Sequence, residues 1–205
     1  MFAHIIGYPL KTPRSIKIWT SYFKKKKMNI KMSGYEIRPK NFNNKIKKLF
    51  QNNKFLASAV TMPYKEKIVR FIKFGDRISK YSKSVNLIIK QKSNIFGYNT
   101  DVIGAMKSLH QIKKKKILIF GFGGTGKAIY NVFSEVYKKT NFTIISSKNN
   151  PKLKKISYWS NKITKKNFDN LDIFINCSPL GSDLKSKFRN RTPVIEKNFK
   201  YLKKD

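Results

Sequence analysis

Short apolar runs alternate along the chain with stretches in which apolar residues return every three or four positions, the signature of strands and helices taken in turn. Phe2 to Ile6 reads as a strand, closed by Gly7-Tyr8-Pro9. A helix is expected from about Pro13, with Ile16, Trp19, Tyr22 and Phe23 at helical spacing. Residues 29–38 read as a strand, 41–51 as a short helix with Ile46, Leu49 and Phe50 on one face, and Ala57 to Met62 as another strand. Pro63 stands where a helix can begin, so the pattern predicts one there, capped by Thr61 and burying Ile68, Val69 and Ile72. Ser84 to Lys90 and Asn94 to Phe96 form a strand pair about a short turn, and Thr100 to Ile112 resumes a helical period.

The texture changes after the lysine run 113–116, which sets the expected boundary between a first domain, residues 1–112, and a second, residues 113–205. Ile117 to Phe120 is apolar throughout, as a strand covered on both faces must be. A glycine cluster then leads into a helix through Tyr137, followed by strands at Phe142 to Ile145 and Leu171 to Ile175. Strand, glycine turn, helix and strand make a βαβ unit, so the fold class is α/β: an N-terminal α/β domain followed by a Rossmann-type domain.

The glycines add chemistry to that pattern. Gly121-Phe122-Gly123-Gly124-Thr125-Gly126 satisfies the spacing G-x-G-x-x-G between a buried strand and a helix. In such a loop the first glycine permits the tight turn, the second lets a pyrophosphate approach the backbone, and the third lets the helix pack on the sheet. The ligand phosphates sit at the positive end of the helix. An NAD-preferring site would offer Asp or Glu about twenty residues later. This chain has no acid between Glu135 and Asp169 and offers Ser146-Ser147-Lys148 instead. Ser147 and Lys148 are therefore expected to meet the 2′-phosphate of NADP, alongside Gly121, Phe122, Gly123, Gly124 and Thr125 at the pyrophosphate.

Composition narrows the remaining classes. The 205 residues carry 46 Lys and Arg against 10 Asp and Glu, a net charge of +36, yet only six of the cations are Arg. A protein that reads nucleic-acid bases uses the arginine fork, so the lysine excess does not point to a specific nucleic-acid partner. It points instead to composition: Lys, Ile and Asn together supply 84 residues, all with AT-rich codons. One cysteine, Cys177, and two histidines, His4 and His110, leave no ligand set for structural zinc and no internal disulfide. No apolar stretch approaches a membrane span, so no membrane partner is expected and the simplest location is the cytoplasm.

Several segments, taken in order, resemble the shikimate dehydrogenase family. Gly7-Tyr-Pro-Leu-Lys-Thr-Pro-Arg-Ser15 resembles its substrate loop, and Ala59-Val-Thr61-Met-Pro63-Tyr-Lys65 its catalytic turn. Val85-Asn86, Gly97-Tyr-Asn99-Thr100-Asp101, the glycine loop, Ser147-Lys148-Asn149 and Asn176-Cys-Ser-Pro-Leu-Gly181 follow in the family's order. The resemblance implies NADPH-linked reduction of 3-dehydroshikimate to shikimate, a step towards the aromatic amino acids. It casts Lys65 in proton transfer and Asp101 as its partner, both touching substrate, with Ser15, Thr61 and Asn86 binding the remaining hydroxyls and the carboxylate.

The departures from the family pattern define the competing reading. Pro13 stands where the first of two serines is usual, with Thr12 as a possible substitute; Ala59 replaces an asparagine, and Leu87 replaces a threonine. The family's later tyrosine-bearing strand and glutamine-bearing helix have no counterpart before Asp205, so the second domain is read as truncated. A non-catalytic nucleotide-binding remnant is the alternative, and a basic nucleic-acid-binding module a more distant one. An incomplete sheet would leave an apolar edge, so the chain is expected to be marginally stable or to associate into a homo-oligomer.

Overall fold

A computed structural model describes residues 1–10, 13–109, 115–146, 156–158, 165–178, 180 and 192–194. The positions expected at Thr12, His110, Ser147, Lys148 and Gly181 lie outside the described residues. The chain divides into two compact units, Met1–Gly104 and Ala105–Asp205, ahead of the lysine run that marked the expected boundary.

The first unit is a six-stranded mixed sheet with helices packed on it. Its elements are β1 (Phe2–Gly7), α1 (Arg14–Lys25), β2 (Lys31–Glu36), α2 (Phe42–Gln51), β3 (Phe55–Val60), β4 (Lys73–Phe74), α3 (Arg77–Ser82), β5 (Leu87–Gln91), β6 (Asn94–Tyr98) and the first half of α4 (Thr100–Ser108), which spans the boundary. Sheet order is β2-β1-β3-β5-β6-β4. The β1 strand runs parallel to both β2 and β3, whereas β5 is antiparallel to β3 and to β6. In α2, Phe42, Ile46 and Leu49 are buried at helical spacing and close over Ile6, Val60, Ile68, Val85 and Ile88 of the core.

Two expectations change here. The segment after Pro63 is not an α-helix: it turns, then forms a single 3-10 helix over Lys67–Phe71. The cause is Tyr64, which is completely buried, stacks on Phe42 with ring centroids 4.2 Å apart, and donates its hydroxyl to the Ile37 carbonyl. That anchor holds the backbone in a turn, and the Thr61 carbonyl, not its side chain, takes the Tyr64 N–H. Only Ile68 of the expected stripe is fully buried; Val69 and Ile72 are half-buried. Secondly, α1 carries two of its three aromatic residues outward, Trp19 44% and Tyr22 45% exposed, while Phe23 is half-buried.

The second unit holds four parallel strands in the order β10-β7-β8-β9. They are β7 (Lys116–Phe120), β8 (Asn141–Ser146), β9 (Ile156–Tyr158) and β10 (Ile173–Asn176), with α5 (Gly124–Val136) following β7. Ile117, Leu118 and Ile119 are fully buried, as a central parallel strand requires. Helix α5 covers the sheet with Ala128, Ile129, Val132 and Phe133. Among the described residues no helix is long and apolar enough to cross a membrane.

Candidate active site

At one end of the first unit's sheet, backbone hydrogen bonds bring four chain segments together. The Thr61 N–H donates to Ile6, that of Val60 to Asn86, and that of Asn86 to Tyr98. Lys65 joins them because the Val85 N–H donates to its carbonyl, at 2.9 Å. The residue that fixes the last segment is Asn99, buried at the N-terminus of α4. Its Oδ1 accepts the Val102 N–H at 3.1 Å, and its Nδ2 donates to the Ser84 carbonyl at 2.9 Å. A side chain in this role caps the helix while tying it to the sheet.

These constraints place three polar side chains in contact. The Lys65 ammonium lies 2.6 Å from one carboxylate oxygen of Asp101. The other oxygen accepts from the Asn86 amide at 2.7 Å. Asn86 is itself oriented, because its Oδ1 accepts the Thr100 N–H at 2.9 Å and its Nδ2 also donates to Thr100 Oγ1 at 2.9 Å. Asp101 occupies the first turn of α4, where the helix dipole favours negative charge. The pair stays open to ligand: the Lys65 and Asp101 side chains are 20% and 41% exposed.

Lys65, Asp101 and Asn86 therefore form one hydrogen-bonded cluster. Thr61 sits at the same sheet end, its methyl against Gly7. Ser15 lies half-buried in the first turn of α1, and among the described residues no hydrogen bond ties either hydroxyl to the cluster. Pro13 occupies the N-cap position of α1 and offers it no side-chain bond. Asn99 and Thr100 position the cluster, a role the sequence reading did not assign. An asparagine just before a helical period is the readable signal for the first of them.

The nucleotide loop is made of backbone. Gly121 has φ +94°, a conformation that L side chains avoid, and its N–H donates to Ile145 at 2.8 Å. At Gly126 a Cβ would overlap the Gly121 carbonyl oxygen, so the turn closes only over a glycine. Gly123 differs: nothing lies within 4 Å of where its Cβ would be, and it precedes α5 without any side-chain cap. The opening residues of α5, Gly124 and Thr125, thus face an uncapped helix start with room for a phosphate, and these features fit a pyrophosphate-bearing cofactor. Phe122 packs edge-on against Tyr130 with centroids 5.8 Å apart. Cys177 lies under the loop, where burial pushes its thiol up to about 11, so it stays protonated.

Comparison with known proteins gives the cluster and the loop a common setting. The model of the shikimate dehydrogenase substrate binding domain matches residues 5–88. A Clostridium botulinum protein named shikimate dehydrogenase (NADP(+)) is 32% identical over 207 aligned positions, covering 96% of this chain and 77% of the relative. The chain belongs to the shikimate dehydrogenase family. A Thermotoga maritima shikimate dehydrogenase (NADP(+)) is 31% identical over 126 positions, 61% of this chain and 47% of its own. The fold agrees: the solved Aquifex aeolicus shikimate dehydrogenase superposes with a TM-score of 0.76 at 22% identity, over 98% of this chain and 75% of that one. A shikimate dehydrogenase solved with NADP+ matches at TM-score 0.69 and 26% identity, over 88% and 67%. The members of this family thus share with the chain an N-terminal α/β unit followed by a Rossmann-like one.

Proposed function

We propose that this chain is an NADP-dependent oxidoreductase of the cytoplasm that reduces 3-dehydroshikimate to shikimate. The observation that carries the reading is the Lys65–Asp101–Asn86 cluster, open at the sheet end and supported by buried Asn99. Reducing a ketone puts negative charge on its oxygen. An ammonium at that oxygen neutralises the charge and delivers the proton, and a carboxylate 2.6 Å away keeps the ammonium in place. Asp101 and Asn86 also offer acceptor and donor groups to the hydroxyls of a polyol ring, with Thr61 and Ser15 supplying hydroxyls nearby along the same unit. NADPH, when bound, supplies the hydride.

The cofactor would lie on the backbone from Gly121 to Thr125, its pyrophosphate at the uncapped start of α5. Ser147 and Lys148 would hold the 2′-phosphate, one as a hydroxyl donor and the other as a point charge. The names of the curated relatives, which specify NADP(+), support this preference.

The test is NADPH oxidation by the purified chain with 3-dehydroshikimate, followed by absorbance, with NADH in parallel. Turnover with NADPH preferred is the expected result. Tight NADPH binding without turnover would instead favour the non-catalytic remnant, for which Pro13 in the substrate loop is the specific sign.

A further inference from the structure

A cavity of about 710 Å³ opens in the first unit where the end of α2, the segment from Arg70 to Lys73 and the tip of the β5–β6 hairpin meet. It is remote from the Lys65–Asp101 pair in the fold. In the hairpin register Leu87 pairs with Tyr98 and Gln91 with Asn94, so Asn86 and Thr100 lie at one end of the two strands and the turn at Lys92 and Ser93 at the other. Four cationic side chains line the cavity, Arg70, Lys73, Lys90 and Lys92, and no carboxylate does.

In a chain of net charge +36, four cations together would mean little if all were loose. Two of these are held. The Lys90 ammonium donates to the carbonyls of Phe50 at 2.8 Å and Asn52 at 3.1 Å, which close the C-terminal end of α2. Those two bonds use two of its three protons. Arg70 donates from Nη2 to Asn43 at 2.8 Å and lies over the Phe71 ring, 5.2 Å from its centroid. The rest of its fork remains for an anion, and a guanidinium fixed in this way suits the paired oxygens of a phosphate. Arg70, Lys73 and Lys92 are all exposed, but among the described residues the two lysines have no tie like that of Arg70 to Asn43 and supply mobile charge at the rim. Between the cations, Phe50 and Phe71 form a half-buried apolar wall.

From this arrangement we infer that the cavity is a binding site for a phosphomonoester carried on a flat apolar body, distinct from the substrate and nucleotide sites. The phosphate, close to a dianion at neutral pH, is matched to the fixed Arg70 and Lys90 charges, and the ring of the ligand to the phenylalanine wall. The inference does not depend on the proposed enzymatic activity, because its readout is binding to the folded chain.

The test uses phenyl phosphate and inorganic phosphate as probes, with affinity measured by calorimetry at about 150 mM salt, an ionic strength that screens exposed charges. Two double variants of equal charge change are compared, Lys73→Glu with Lys92→Glu in the cavity, and Lys25→Glu with Lys31→Glu on α1 and β2 at the far edge of the sheet. All four positions are exposed, and circular dichroism checks that both variants fold. Phenyl phosphate is expected to bind several-fold more tightly than inorganic phosphate. The cavity variant should lose at least tenfold of that affinity and the far-edge variant less than twofold. Equal losses in the two variants would reduce the site to the general field of the chain and overturn the proposal. Equal affinity for the two probes would overturn it as well, by removing the apolar wall from recognition.

Discussion

At the ends of β3 and β6 the first unit presents side chains to its ligand: an ammonium, a carboxylate and an amide, each held by a neighbour within hydrogen-bond distance. At the end of β7 the second unit presents backbone, made available because four of the six positions from Gly121 to Gly126 lack a side chain. The two surfaces fail differently. Where side chains do the binding, replacing one changes chemistry and leaves the fold standing. Where backbone does it, adding a single carbon tests whether the glycine serves the fold or the ligand. The largest effect is expected on the first surface. Lys65→Ala should lower kcat at least about a hundredfold, roughly 2.7 kcal/mol of transition-state stabilisation, with NADPH affinity nearly unchanged. Asp101→Asn, which leaves the ammonium without its charge partner, should also lower kcat in the same assay. Near-normal turnover in the Lys65 variant would remove it from proton transfer.

The backbone surface is separated by two glycines three residues apart. Gly126→Ala forces a methyl onto the Gly121 carbonyl, so it should cost about 1–3 kcal/mol of stability in the second unit, read by thermal or urea unfolding. Gly123→Ala meets open space. Its unfolding midpoint should stay close to that of the parent protein while NADPH binding weakens, because the new methyl stands where phosphate oxygens would approach the backbone. If Gly123→Ala also unfolds the chain, the assignment of that glycine to the ligand is lost.

The same contrast explains what could be read from the sequence. The second unit's loop was legible because a buried apolar run, spaced glycines and a helical period follow one another without a break, and each is a local property. In the first unit Lys65, Asp101 and Asn86 were identified only through their family resemblance, since 36 residues separate Lys65 from its partner and no local pattern announces the contact. Helix α3 went unpredicted because Arg77-Ile-Ser-Lys-Tyr-Ser82 has no apolar stripe. It forms through a cap, Asp76 accepting the Ser79 N–H at 2.6 Å, and a left-handed exit at Lys83. The helix expected after Pro63 was lost to Tyr64, whose burial against Phe42 and Ile37 is a tertiary fact overriding local propensity. The short strands β4 and β9 lack enough residues to show alternation.

Asn99 probes how far the side-chain surface depends on its support. Asn99→Ala removes the α4 cap and one of the two donors to the Ser84 carbonyl, which keeps the Ser82 hydroxyl, costing about 1–2 kcal/mol in urea unfolding. Because Asp101 rides on the first turn of α4, kcat should fall several-fold even at temperatures where the variant is folded. A stability loss with full kcat would show that the pair places itself.

The smallest effect separates the units by pH. His4 lies in β1, stacked on Tyr35 with centroids 5.1 Å apart, and burial holds its imidazole below the ordinary value of 6.5 although its bond to Ser33 opposes this. A depressed folded-state value means the unfolded chain binds the proton more readily. The stabilisation is therefore complete above about pH 6.5 and is lost as pH falls through the lower folded-state value. Cys177 has the opposite sign: with its thiol raised to about 11, its contribution is complete below the ordinary thiol value and fades as pH rises towards 11. Half-buried Tyr35 and buried Tyr64, both raised by burial, add an alkaline loss in the first unit. His4→Gln should accordingly flatten the acid side of the stability profile below pH 6.5, and Cys177→Ala the alkaline side between about 9 and 11, each without touching the other limb. Urea unfolding at pH 5.5, 7.5 and 10 on the three proteins measures both limbs. An acid limb unchanged in His4→Gln would place the proton uptake elsewhere than in β1.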